Sequence, residues 1–64
     1  MKTLEALQGE YQARHDALKL GGQAKQHDDG EGRVAFWNCD QHIWDWYAWD
    51  QAHGYTKTGT TYFV

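Results

Sequence analysis

Proline is absent, cysteine and methionine occur once each, and no apolar run approaches the roughly 18 residues of a membrane-spanning helix. Each absence excludes something. With Cys39 the only cysteine, no internal disulfide can form, and a lone thiol is ordinary in a reducing cytosol and a liability outside it. Met1, Lys2 and Thr3 lead into a polar helical pattern with no apolar segment of a secretory leader, so the expectation is a soluble cytoplasmic protein without membrane association. No basic block occurs either. Nine acidic residues outweigh six basic ones for a net charge of −3, which makes nucleic acid an unlikely partner, and the carboxylates are too scattered to mimic a phosphate backbone. Gly30-Glu31-Gly32 precedes a β-prone segment rather than a helix, so it is no phosphate loop, and no internal repeat or heptad array is present.

What is plentiful is aromatic surface. Phe36, Trp37, Trp44, Trp46, Tyr47, Trp49 and Tyr55 fall within twenty positions of a 64-residue chain. A single domain of this size buries only roughly 60% of the surface its unfolded chain exposes. Chains this short lean on disulfides, metals, partner subunits or unusually good packing for stability. More rings than one small core can hold point to a surface that meets something else.

Leu4, Leu7, Tyr11 and Leu18 recur at helical spacing, with His15 on the same stripe, so residues 3–20 read as an amphipathic helix. Thr3 is placed to cap it, Glu5 suits its positive end, Lys19 its negative end, and Gly21 and Gly22 its stop. Gly9 within it costs about 1 kcal/mol relative to alanine. Residues 21–32 have no apolar side chain larger than alanine and four glycines, the pattern of a flexible loop.

Residues 33–64 form an aromatic, β-prone half, and two readings compete for it. As strands, residues 33–37, 42–49 and 55–63 make a three-stranded antiparallel meander. As a helix over 39–53, Asn38 is the N-cap, Gln41 its capping partner and Gly54 the stop, giving an α-β-α-β order. The rings project most of the way round a helical wheel, and the segment lacks Leu, Glu, Lys and Arg, whereas Thr56, Thr58, Thr60 and Thr61 suit cross-strand pairing with large rings. The meander is favoured. The expected fold class is therefore α+β, one N-terminal helix on a three-stranded sheet, in a single domain. Simple hairpin registers place Trp37, Trp44, Trp46, Ala48, Tyr62 and Val64 on one face and Val34, Phe36, Ile43, Tyr47, Trp49, Tyr55 and Phe63 on the other. One helix covers one face, so the second must pack on a partner or on a copy of itself.

Catalytic and metal readings are weak. Cys39 and His42 form a C-x-x-H pair, and His15, His27, Asp28, Asp29 or His53 would have to complete a zinc site from a glycine-rich segment; no metal and no cofactor is expected. Cys39 lacks an identifiable orienting group for nucleophilic work and reads as a small buried hydrophobe. Asp40, Asp45 and Asp50 recur every five residues, a spacing suited to closing turns and keeping an aromatic strand soluble rather than to acid catalysis in a cleft. The expectation is thus a tryptophan-rich, non-enzymatic protein-binding module. Its partner-binding anchors are Trp46, Tyr47, Trp49, Tyr55 and Phe36, with Trp44 in the core. The partner is a host protein or a second copy, most simply a homodimer. Short acidic aromatic chains of this kind look like the viral and mobile-element accessory proteins that act as inhibitors by covering a host enzyme's surface. Stacking of single-stranded nucleic acid on the same rings is the alternative use.

Overall fold

The structure, a computed structural model, describes residues 1–62. Helix α1 (Leu4–Ala17) is followed by strands β1 (Gln26–Asp28), β2 (Arg33–Asn38), β3 (Ile43–Asp50) and β4 (Gly54–Tyr62). The strands form one antiparallel sheet in the order β1-β2-β3-β4, with α1 against one face. The fold is α+β as expected, but the sheet has four strands rather than three. The extra strand, β1, arises inside the segment read as a loop. The expected positions of Phe63 and Val64 lie outside the described residues.

The helix begins where Thr3 accepts a hydrogen bond from the Ala6 amide at 3.1 Å. Leu7, Tyr11 and His15, each four residues on from the last, are its buried positions. It stops short of the glycine pair, because Leu18 is the C-cap and Lys19 takes a left-handed φ of 57°, its amide bonding the Asp16 carbonyl at 2.9 Å.

Segment 21–26 is held mainly by side-chain amides and an imidazole, with Ala24 its one apolar contact to the core. Gln12 accepts from the Ala24 amide at 2.9 Å and donates to the Gly22 carbonyl at 3.1 Å, His15 bonds the Gly21 carbonyl, and Gln8 donates to Gln26 at 3.0 Å. Delivered in this way to the edge of β2, residues 26–28 pair with Phe36, Ala35 and Val34. A hydrophobicity pattern contains no trace of such ties, which is why the fourth strand is not legible in the sequence.

Turns are closed by short polar side chains accepting backbone N–H groups. Asp28 and Asp29 do this before β2, and Asp50 before β4. Hydrogen bonds to the carboxylates, chiefly from the Glu31 and Ala52 amides respectively, hold Asp29 and Asp50 below the usual aspartate range. Asn38, read in the alternative scheme as a helix N-cap, accepts from the Asp40 and Gln41 amides at 3.1 and 3.2 Å and closes the β2–β3 turn instead. The helical alternative for residues 39–53 is thereby corrected: the same capping chemistry serves a hairpin, and β3 occupies the centre of that span.

Gly54 opens β4 at φ 78°, under the amino-terminal segment, where Lys2 forms a parallel bridge to it. A side chain here would collide with the Lys2 backbone and with Met1. Gly54→Ala is expected to destabilise the protein by about 2 kcal/mol or more, from left-handed strain and the clash together. Gly9→Ala, at a helical site with nothing within 4 Å of the new methyl, is expected to stabilise it by about 1 kcal/mol. Urea denaturation of both variants checks the pair.

Candidate protein-contact surface

Residues directly opposite one another in antiparallel strands share a face. Asn38 with Ile43, Phe36 with Asp45 and Val34 with Tyr47 lie on the helix side, where Leu7, Tyr11, Val34 and Phe36 form the core. Trp37 with Trp44, Ala35 with Trp46 and Arg33 with Ala48 lie on the other side, which no helix covers. The bulge between Trp46 and Tyr47 inserts Thr58 into β4, so Tyr55 opposite Trp49 and Tyr62 opposite Ile43 share the helix-side face despite their odd and even numbers. Without a bulge Tyr62 would join the tryptophans, as the simple register expected.

The open face is built around a small residue. A depression of about 510 Å³ is bordered by Lys25, Gln26, His27, Trp44, Trp46 and Thr61, with Ala35 fully buried beneath it. Between rows of large rings, one methyl leaves a hollow. Trp46 is held on several sides: its indole N–H donates to Thr61 at 2.9 Å, the Arg33 guanidinium lies 5.1 Å above the ring and His27 meets it edge-on at 6.0 Å. Trp37 packs on Trp44 at 5.4 Å and on His42 at 5.9 Å. The surface is thus an ordered one, with its ring positions set within the chain.

The expected anchors are divided between the two sides. Trp46 stands on the open face. Phe36 is 1% exposed and belongs to the core, stacked on Tyr11 at 5.0 Å. Tyr47 and Tyr55 are half-buried against that core, and Tyr47 bonds Tyr11 at 2.8 Å. Trp49 is 48% exposed at the far end of β3, edge-on to Tyr55 at 5.2 Å. Trp44, expected in the core, lies half-buried on the open face beside Trp37 and Trp46. Residue parity along β2 and β3 carries the signal for Trp37, Trp44 and Ala35. Lys25 and His27 required the unforeseen strand.

Under the helix a polar cluster replaces the apolar contact that sequence reasoning assumes. Asp45 is 2% exposed, and one of its oxygens accepts from the Tyr11 hydroxyl at 2.6 Å and from the Asn38 amide at 3.2 Å. The other oxygen has no hydrogen bond of acceptable geometry, but the Lys57 ammonium stands 3.3 Å from it as an ion pair. Arg14 lies 4.7 Å over the Tyr11 ring. Burial, then the bonds to Asp45 and Tyr47, drive the Tyr11 phenol well above its ordinary value. Asp45 therefore docks the helix rather than closing a turn, a role no local pattern announces because Tyr11 is 34 residues away.

Other chemistry is dispersed. Cys39 is buried, His15 bonds a backbone carbonyl, and His53 lies 3.3 Å from Asp50. Among the described residues no three His, Cys, Asp or Glu side chains converge as a metal site, and no helix is long and apolar enough to cross a membrane.

Tyr11→Phe is expected to cost about 1.5–3 kcal/mol at neutral pH, as for a hydrogen bond to a charged group. The unfolded chain sheds the phenol proton near pH 10.0 while the folded one keeps it, so this group's contribution is complete below that pH and falls as pH rises further. Denaturation curves from neutral pH to about pH 12 should show a decline above about pH 10 that is shallower in Tyr11→Phe.

Comparison of the chain with protein-family models, with curated proteins and with solved structures yields no match. What it does has to be read from its own surface.

Proposed function

We propose that this chain is a non-enzymatic protein-binding module that acts by occupying a surface of another protein with the uncovered face of its sheet. One observation carries the reading: a four-stranded sheet has its single helix on one side and an ordered set of Trp37, Trp44 and Trp46 on the other. Indole-rich patches with few charges at their centre are the chemistry of energetic hot spots at protein interfaces. The buried titratable groups have structural roles. Asp45 and Tyr11 are committed to each other in the seam between helix and sheet, and Cys39 is buried beside the β2–β3 turn, so none of the three opens into a cleft.

Stacking of single-stranded nucleic acid is the competing use. It would draw on the same rings, but the net charge of −3 opposes a strand that brings a phosphate with every base.

Affinity capture with the whole chain, followed by calorimetry on the purified captured protein, tests the reading. Saturable binding with a negative heat-capacity change is expected, and Trp44→Ala/Trp46→Ala should weaken it at least about 100-fold, as for loss of two hot-spot rings. The double variant should keep its thermal midpoint within a few degrees, because these rings lie outside the helix-side core. Unchanged binding by that variant, or capture of nuclease-sensitive material alone, would overturn the proposal.

A further inference from the structure

Most acidic residues of the chain lie away from the open face of the sheet. Glu5, Glu10 and Asp16 are on the helix; Asp28, Asp29, Glu31, Asp40 and Asp50 are in or beside the three turns; Asp45 is under the helix. Strand alternation places one paired acidic residue on the open face, Asp50, which lies two pairs beyond Trp46 at the end of β3 and is 3.3 Å from His53. Three basic side chains stand beside the indoles. Lys25 follows from its carbonyl accepting the Trp37 amide at 3.0 Å, His27 is opposite Ala35, and Arg33 is opposite Ala48. A chain of net charge −3 thus presents a locally basic aromatic face.

The state of each cation sharpens this. Arg33 is fixed by its Nε bond to Asp29 at 2.7 Å and by Trp46 beneath it, which leaves the Nη edge of a held guanidinium to receive another carboxylate. Lys2, Arg14 and Lys57 have acidic partners on the helix side, whereas Lys25 has no ion-pair partner among the described residues. The hollow over Ala35, with Lys25 and His27 along one wall and Trp44 and Trp46 along the other, is large enough for a bulky apolar side chain and its adjoining backbone.

Resting on the protein-binding reading above, we infer that this hollow receives an acidic segment of a partner protein. One bulky apolar side chain seats over Ala35 between the indoles, and neighbouring carboxylates meet Lys25 and the Nη edge of Arg33. A second copy of this chain offers the hollow a poorer match face to face, because the carboxylate of the identical face, Asp50, sits at the end of β3 and is engaged by the Ala52 amide and His53. Nucleic acid would satisfy the cations, but two of them are few against its charge density.

Selection of a random peptide display library on the intact protein, followed by fluorescence titration of synthetic winners using the intrinsic tryptophans, tests the inference. Winners are expected to combine a large apolar residue with two or more flanking acids. Lys25→Glu should weaken them by about tenfold or more, since it turns an attraction into a repulsion. Trp44→Ala, which removes one wall of the hollow at a half-buried position outside the helix-side core, should weaken binding by about tenfold or more while leaving the circular dichroism near that of the parent. Winners that are neutral or basic yet depend on Trp44 would overturn the charge assignment and leave the protein-binding reading standing. Binding of a thymidine 15-mer that displaces the peptides, or a Trp44-dependent dimer in native mass spectrometry that blocks them, would overturn the acidic-segment occupant in favour of nucleic acid or a second copy. Peptides indifferent to both Lys25→Glu and Trp44→Ala would overturn the site itself.

Discussion

The hydrogen bond from Tyr11 to Asp45 is the contact on which the rest of the architecture depends. It joins the middle of α1 to β3, and it gives a buried carboxylate one of the few partners that make its burial tolerable. Asn38 and Lys57 complete the surroundings of Asp45 from β2 and β4, so a single side chain ties together four of the five elements. Among the described residues the largest fully buried side chains are Phe36 and Leu7, a small apolar core for docking a helix. A short directional bond sets its register, and the Tyr11–Phe36 stack supplies apolar area in the same orientation.

Docking by this route has a consequence for the opposite side. The helix uses up one face of the sheet, and among the described residues no second element lies on the other. The segment after the helix, which might have crossed over, instead runs back beside it on Gln8, Gln12 and His15 and adds β1 to the edge. Sheets with one solvated face ordinarily alternate apolar and polar residues. Here Trp37, Trp44 and Trp46 occupy the solvated positions, and the cross-strand contacts with His42, Arg33, His27 and Thr61 hold them in place. The protein maintains an apolar face in water without a layer to cover it, which is the physical ground for reading it as a contact surface.

The acids illustrate how one residue type takes different work from its surroundings. Asp28, Asp29 and Asp50 accept backbone amides at turns, as spacing and turn chemistry lead one to expect of Asp50. Asp40, expected in the same role, yields it to Asn38 and stands exposed near Arg14. Asp45, at the same five-residue interval, falls on the helix side of β3 and becomes the docking carboxylate. Regular spacing in the chain did not translate into shared function, because strand parity sent these residues to different environments.

From the residues alone, the α+β class, the helix with its Thr3 cap and buried Leu7, Tyr11 and His15, and the division of aromatic residues between two sheet faces could be read. These follow from local rules: helical and strand periodicity and the reach of a capping side chain. The fourth strand, the bulge that moves Tyr62 across the sheet, the burial of Phe36 among the proposed anchors and the pairing of Tyr11 with Asp45 were decided by tertiary structure. Each depends on a contact between residues far apart in the chain, made by amides, hydroxyls and a carboxylate whose partners no periodicity specifies. The basic character of the tryptophan face belongs with these, since it comes from placing Lys25 and His27 beside Ala35 and Trp37, an adjacency created by β1 pairing with β2.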